Sequence, residues 1–286
     1  APTELFDYYY DKVDVPQPTD EERAGEPAAI RKFKMLRGLY PPLDEERIRV
    51  ARAAYFGLCE YFDTLAGRVL DTLKETGLAE NTLVIYCSDH GEMAGEHGCW
   101  WKSSYYEGSV SVPMIASFPG RISAGVSTNT ICNLMDIGPT LIDAAGATPL
   151  HDIDGLSLWN TMTGGPPLDR GETFSEHVGQ EGIPSRMIRR GPWKYYEYHD
   201  TTSPALYNLA DDPGELSDLG TDPTHERTRQ ELSRRLHSDW DPEAVLSETA
   251  RMDQDLRVIE AWGRATEPCH PDTLPVPEDA EDVELL

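Results

Sequence analysis

Lysine is scarce in this chain: only six of the 25 basic residues are lysines, set against 51 acidic ones, for a formal charge of −26. A surface this acidic repels nucleic acid and anionic membranes, so neither is expected as a partner. It suits a high-salt cytoplasm, where screening removes self-repulsion, or a strongly acidic protein of an ordinary one. Paired cysteines are also lacking. The five present, Cys59, Cys87, Cys99, Cys132 and Cys269, are odd in number and contain no CxxC, which excludes a zinc ribbon and a full disulfide framework. Reduced thiols and a cytoplasmic location are the expectation. No run of about 20 apolar residues occurs, and the start "APTELFDYYYDK" has neither the basic end nor the apolar core of a signal peptide. There is no internal repeat.

What is present is enough chain, 286 residues, for one large α/β domain or a domain with a smaller appendage. The first forty residues read as irregular, with the proline- and acid-rich "DVPQPTDEERAGEP" as an exposed connector. From Asp44 to Thr76, apolar or small residues at Ile48, Ala51, Tyr55, Leu58, Phe62, Leu65, Val69 and Leu73 step by three and four, predicting a long amphipathic helix capped by Asp44 and stopped by Gly77. "NTLVIYC" follows as a continuous apolar run, the pattern of a strand buried on both faces of a parallel sheet. A second buried strand is expected at Val112–Phe118 and a helix from Asp136 to Gly146. Beyond Leu150 the segments "TFSEH", "SRMIRR", "WKYYEYH" and "ALYNL" are short, aromatic or β-branched, and separated by turn residues, predicting a small antiparallel sheet. Helices over Glu226–Ser238 and Pro242–Trp262 complete the chain, ahead of an acidic tail. The expected organisation is therefore a 1–150 α/β part, a 151–270 α+β part, and a mobile tail over 271–286.

The stretch "SDHGEMAGEHGCWWKSSYYEGSVSVPMI", Ser88 to Ile115, concentrates the chemistry. Asp89 and His90 stand where the "TLVIYC" strand ends, and ligands of open parallel sheets gather at the carboxyl ends of strands. A carboxylate and an imidazole there can coordinate a divalent cation, with Gly91 letting the backbone turn closely around it. Taken alone, the pair reads more simply as a turn cap and a surface histidine. Lys102, one of few lysines and flanked by Trp100, Trp101, Tyr105 and Tyr106, is suited to holding a tetrahedral oxyanion as a point charge. Its alternative is an exposed lysine lying along tryptophan.

The run "LVIYCSDHGEMAGEHGCWWKSSYYEGSVSVPMI" resembles the second signature region of the type I sulfatases, in the alkaline phosphatase superfamily. The preceding helix, "MDIGPTLIDAAG", the "DGLSL" turn and "RMIRRGPWKYYEY" with "LYNLADDPGELSDL" are similar to the same family, over about Ala1 to Leu219. The late aromatic strands and "WDPEAV" resemble its choline-sulfatase and phosphonate-monoester-hydrolase-like groups. The resemblance implies a fold class of α/β: part of an alkaline-phosphatase-like sandwich with a parallel or mixed sheet and flanking helices, plus a small C-terminal antiparallel sheet and helices. It implies that Asp89 and His90 are the last two ligands of a divalent cation, usually calcium and sometimes manganese, with His90 where asparagine often stands. Lys102 is then the lysine that contacts sulfate and the leaving oxygen. His97, in "GEHG", is implied near the pocket, against substrate or behind it, and Glu107 in support of the fold.

Such enzymes make their nucleophile by oxidising the Cys or Ser of a C/S-x-P-S/A-x-R motif to formylglycine. No cysteine here has that context, and "GIPSR" (Gly182–Arg186) has glycine in place of the nucleophile and the wrong position in the order of motifs. The first strand with its paired Asp ligands and the Lys-x-His pair are missing too. The expectation is thus the C-terminal portion of a longer sulfatase, inactive alone, or a protein that has lost its catalytic half. Its partner would be the remaining N-terminal part, or a second copy covering an exposed apolar sheet edge; the complete enzyme would take a small sulfated substrate. The competing functions are a phosphonate or phosphate ester hydrolase, and a non-catalytic interaction or oligomerisation module that keeps the fold.

Overall fold

The computed structural model describes residues 1–179, 182–199 and 204–266. They fall in two compact units, Ala1–Trp240 and a second that starts at Asp241. The expected tail over 271–286 lies outside the described residues, as does Cys269; the four described cysteines are free thiols.

The long helix forms as its periodicity requires. Helices α1 (Thr3–Tyr10), α2 (Asp20–Gly25) and α3 (Ala28–Leu36) precede α4, Glu45–Glu75. Asp44 caps α4 by accepting from the Arg47 amide at 2.8 Å, and Gly77 ends it at φ +72°. α1 lies against α4 at Gly57, where an added Cβ would come within 3.0 Å of Ala1 and 3.3 Å of Leu5. One face of α4 buries Ile48, Arg52, Ala53 and Gly57; another leaves Leu58, Phe62 and Val69 exposed.

The first forty residues are not an irregular connector. Thr19 and Glu22 form a reciprocal capping box that starts α2. α3 is amphipathic and buries Ala29, Ile30, Phe33 and Lys34. A T-x-x-E signal was present at Thr19–Glu22, but the surrounding prolines and acids masked it.

Strand β1 (Val84–Cys87) pairs with β2 (Met114–Ser117), and the pairing is antiparallel, Val84 opposite Ser117 and Cys87 opposite Met114. A parallel neighbour needs a crossover that packs on the sheet. Residues 88–113 instead fold back on themselves around two short helical turns, a 3-10 turn at Glu96–Gly98 and α5 (Glu107–Val110), and deliver β2 beside β1 in the opposite sense. β1 is only partly buried, although its residues are apolar enough for a doubly covered strand.

Helix α6 (Ile137–Ala144) and the short α7 (Trp159–Met162) are joined through Asp136. Fully buried, this carboxylate accepts from the amides of Asn133 (2.8 Å) and Leu156 (2.7 Å) and pairs with Arg170 at 2.7 Å. The "DGLSL" turn passes so close that a Cβ on Gly155 would stand 2.0 Å from the Met135 carbonyl oxygen.

The later segments form the expected antiparallel sheet, β3 (Glu172–Val178), β4 (Pro184–Arg190), β5 (Trp193–Tyr198) and β6 (Ala205–Asn208), in that spatial order. "GIPSR" runs into β4, and Arg186 is structural. Its guanidinium bonds the Leu236 carbonyl at 2.8 Å and Asp239 at 2.5 Å, tying the sheet to α8 (Glu226–Leu236). α9 (Pro242–Thr266) belongs to the second unit.

The principal core joins these parts: Ala29 and Ile30 of α3, Met93, Cys99, Tyr105 and Tyr106 of the loop after β1, and Met187, Tyr196, Tyr198, Ala205 and Tyr207 of the C-terminal sheet. Beneath it, fully buried Lys194 meets Glu215 at 2.6 Å and Glu107 at 2.7 Å and donates to the Tyr105 carbonyl at 2.7 Å.

Candidate functional site

The site is built on the loop that leaves β1. Ser88 donates its hydroxyl to the His90 carbonyl at 2.7 Å, and the His90 amide donates to Asp89 Oδ1 at 3.0 Å, so the turn is tied to its own side chains. His90 Nδ1 lies 2.8 Å from the Gly91 carbonyl oxygen. The tautomer that satisfies this carbonyl carries its proton on Nδ1 and presents a lone pair at Nε2. That nitrogen sits 3.6 Å from Asp89 Oδ2, on a side chain that is 84% exposed. Two electron-rich atoms facing each other at this spacing form a donor pair that one divalent cation can share. Among the described residues no group of three or more His, Cys, Asp or Glu side chains is gathered for a metal.

Glycine at position 91 is required by contact. A Cβ there would lie 2.1 Å from the Gly108 carbonyl oxygen, and the Gly91 amide donates to the Ser109 carbonyl at 2.8 Å. The loop then doubles back: the Met93 amide meets the Trp101 carbonyl at 2.9 Å and the Gly95 amide the Cys99 carbonyl at 2.8 Å. This fold-back sets Trp101, the neighbour of Lys102, against Met93. Lys102 is exposed and stands between Trp101 and Ser103, whose φ angles are +63° and +82°. Left-handed backbone at two non-glycine neighbours is uncommon and persists only where the surroundings hold it. Of the four aromatics flanking Lys102 in sequence, Tyr105 and Tyr106 turn into the core and do not wall the lysine. Their aromatic character serves packing against the C-terminal sheet.

His97 is enclosed. Its Nδ1 lies 3.0 Å from Glu22 Oε1, its ring stacks on Tyr106 at 3.9 Å between centroids, and its carbonyl accepts from Lys34 Nζ at 2.5 Å. Burial holds its pKa below the free imidazole value, against an upward pull from Glu22. These contacts belong to the wall behind the loop.

Two supports, Arg52 and Glu92, show little in the sequence. Arg52, buried on α4, donates to the Ala94 carbonyl at 2.6 Å and pairs with Asp14 at 2.7 Å. Glu92 accepts from the amides of Ala94 (2.9 Å) and Trp101 (2.7 Å). Arg52 sits on the helix face that buries Ile48, where a charge is out of pattern, and this was the available clue. Glu92, inside "DHGE", had none beyond its proximity to the pair. Glu107 holds Lys194, in keeping with its expected structural part.

The fold is alkaline-phosphatase-like. A solved phosphonate monoester hydrolase from Silicibacter pomeroyi superposes with a TM-score of 0.70 at 28% identity, over 79% of this chain and 50% of that one. The sulfatase family profile matches residues 1–147, half of the chain, and the chain belongs to the sulfatase family. A second profile, N-sulphoglucosamine sulphohydrolase, C-terminal, matches residues 95–241. Among curated relatives, choline-sulfatase of Rhizobium meliloti (strain 1021) is 36% identical over 211 residues, 70% of this chain and 40% of the relative. Arylsulfatase K of Xenopus laevis is 32% identical over 233 residues, 73% of this chain and 43% of the relative. The chain thus spans about two fifths of the length of these relatives. Among the described residues no helix is long and apolar enough to cross a membrane.

Proposed function

We propose that this chain carries the cation-holding and leaving-group side of a sulfuric ester hydrolase site, and that the formylglycine nucleophile comes from polypeptide beyond these 286 residues. The observation that carries the reading is the Asp89–His90 donor pair, 3.6 Å apart, on a loop that folds back to Lys102. Asp89 Oδ2 and His90 Nε2 would hold a divalent cation, calcium or manganese, with ligands from the remaining polypeptide; when bound, it would stabilise negative charge on the ester's oxygens. Lys102 places an ammonium where charge develops on the leaving oxygen, and can donate a hydrogen bond to it. His97, Arg52 and Glu92 hold the loop in shape. His97 is thereby a supporting residue more than a contact to substrate.

The proposed partner is the N-terminal part of the same enzyme, seated on the apolar face of α4 and the open edges of β1 and β2; a second copy of the chain is the alternative cover. Mixing or co-expressing the chain with that N-terminal part tests the assignment. The assembly is expected to hydrolyse an aryl sulfate, Lys102→Ala to lower kcat by about 10²–10³, and the chain alone to show no turnover. Turnover by the chain alone would overturn the division of the site. A phosphonate or phosphate ester hydrolase is the second reading, favoured by the likeness to the Silicibacter pomeroyi enzyme. An aryl phosphonate preferred to the sulfate in the same assay decides for it, and no hydrolysis of either by the assembly would leave a non-catalytic module.

A further inference from the structure

We propose that Glu92 is the positioning residue for Lys102, holding through one carboxylate oxygen the strained backbone that presents the lysine. The inference rests on the reading of Lys102 as the group that holds the substrate's anion.

Glu92 Oε1 accepts from two amides, Ala94 at 2.9 Å and Trp101 at 2.7 Å. Both donors belong to residues with left-handed backbone, Ala94 at φ +46° and Trp101 at φ +63°. In a regular two-stranded fold-back the Trp101 amide, opposite Met93, would meet a carbonyl across the ladder, while the Ala94 amide, between two bonded pairs, would point out of it. Here the ladder supplies only Met93 to Trp101 and Gly95 to Cys99. The left-handed turn swings the Trp101 amide out of it, beside that of Ala94, and the carboxylate takes both. Without the carboxylate the part-buried Ala94 amide would lose its acceptor and the exposed Trp101 amide would turn to solvent, and both changes favour relaxation to ordinary φ. Relaxation at Trp101 would change the direction in which residue 102 leaves the chain. The remaining supports act elsewhere: Arg52 grips the Ala94 carbonyl, and Lys34 the His97 carbonyl. Neither touches Trp101, whose other ties are the Met93 amide on its carbonyl and Arg37 over its ring at 5.7 Å, so the Trp101 amide itself is held by Glu92.

A carboxylate is not required for this task. Glutamine keeps an equivalent carbonyl oxygen at Oε1, whereas alanine has no acceptor. The test therefore compares Glu92→Ala with Glu92→Gln by two readouts on the intact chain. The first is amide hydrogen exchange at Ala94 and Trp101. The second is the affinity of Lys102 for inorganic sulfate, followed by the NMR shift of its side chain. Glu92→Ala is expected to speed exchange at both amides and weaken sulfate binding by about tenfold, with Glu92→Gln retaining both properties. Exchange elsewhere, at β4 and β5 for example, should be unchanged in either variant. Sulfate binding that is equal in the unmodified protein and Glu92→Ala overturns the positioning of Lys102 by Glu92 while leaving Lys102 as the anion-holding group. Lack of any sulfate response at Lys102 in the unmodified protein overturns that assignment and this inference together.

Discussion

Lys194 Nζ lies 2.6 Å from Glu215 Oε1, and the ammonium is fully buried. Glu107 completes the pairing from the other side at 2.7 Å. Glu215 stands at φ +54°, and burial pushes its carboxyl up from the ordinary value while Lys194 opposes the shift. The cluster locks β5 to the loop that carries the candidate site. Removing one partner of a buried pair leaves an uncompensated charge, so Lys194→Met is expected to lower stability by about 3–5 kcal/mol. Lys194→Met combined with Glu215→Leu should recover part of that loss in urea titrations. A double variant as unstable as the sum of the singles would show that the groups act independently.

His97 makes stability depend on pH. Its folded pKa is depressed below 6.5 by burial, so the unfolded chain binds the proton more readily. The contribution of the neutral imidazole is fully present above the unfolded value and is lost as pH falls from about 6.5 toward the folded one. A melting temperature that declines between about pH 7 and 5.5, and declines less steeply in His97→Gln, is the expected pattern. Parallel curves for the two proteins would remove His97 as the source.

Gly91→Ala is expected to be among the most damaging single changes in the loop. Its Cβ would meet backbone, the Gly108 carbonyl oxygen at 2.1 Å, and backbone cannot step aside as a side chain does. A loss above about 3 kcal/mol is expected from such overpacking. Gly67→Ala, in open space on α4, is the control and should be neutral or slightly stabilising by urea titration.

Cation binding should follow Asp89 and His90. In the assembly with the N-terminal part, Asp89→Asn and His90→Ala are each expected to weaken calcium or manganese binding by about 10–100-fold in calorimetric titrations. Asp143→Asn on α6 serves as the exposed-acid control and should leave affinity unchanged.

The apolar face of α4 should seek cover. Leu58 is 50%, Phe62 51% and Val69 69% exposed, and Ile115 on β2 is 63% exposed. A patch of this kind marks an interaction surface. The purified chain is expected to self-associate with concentration in sedimentation experiments, and Phe62→Asp to shift it toward monomer. A concentration-independent monomer would remove this face as a docking surface.

Much of this architecture was legible because it rests on local rules. Asp44 and Gly77 bracket a helix by capping and by left-handed termination, and the short aromatic or β-branched segments "SRMIRR" and "WKYYEY", set off by turn residues, form strands of an antiparallel sheet. Asp89, His90 and Lys102 could be named because a motif concentrates them. The sense of the β1–β2 pairing was not legible, because apolar content reports burial and says nothing of how the following loop closes. α2 and α3 were missed because prolines and acids around Thr19 and Glu22 resemble a linker in composition, while their role is to clamp His97 and the Lys34-bound carbonyl. The inward turn of Tyr105 and Tyr106 depended on a sheet about ninety residues later in sequence. Glu92 acts on backbone groups and leaves no periodicity to read, while Arg52 shows only as a charge on the helix face that buries Ile48.

Met93, Cys99, Tyr105 and Tyr106 share one core with Met187, Tyr196 and Tyr207. Exchange of parts between relatives is constrained by this. A chimera that grafts the Asp89–Lys102 loop of one sulfatase onto the C-terminal sheet of another would confront two mismatched sets of tyrosines. Loop and sheet are therefore a single packing unit, and a change of shape in either is expected to demand a compensating change in the other.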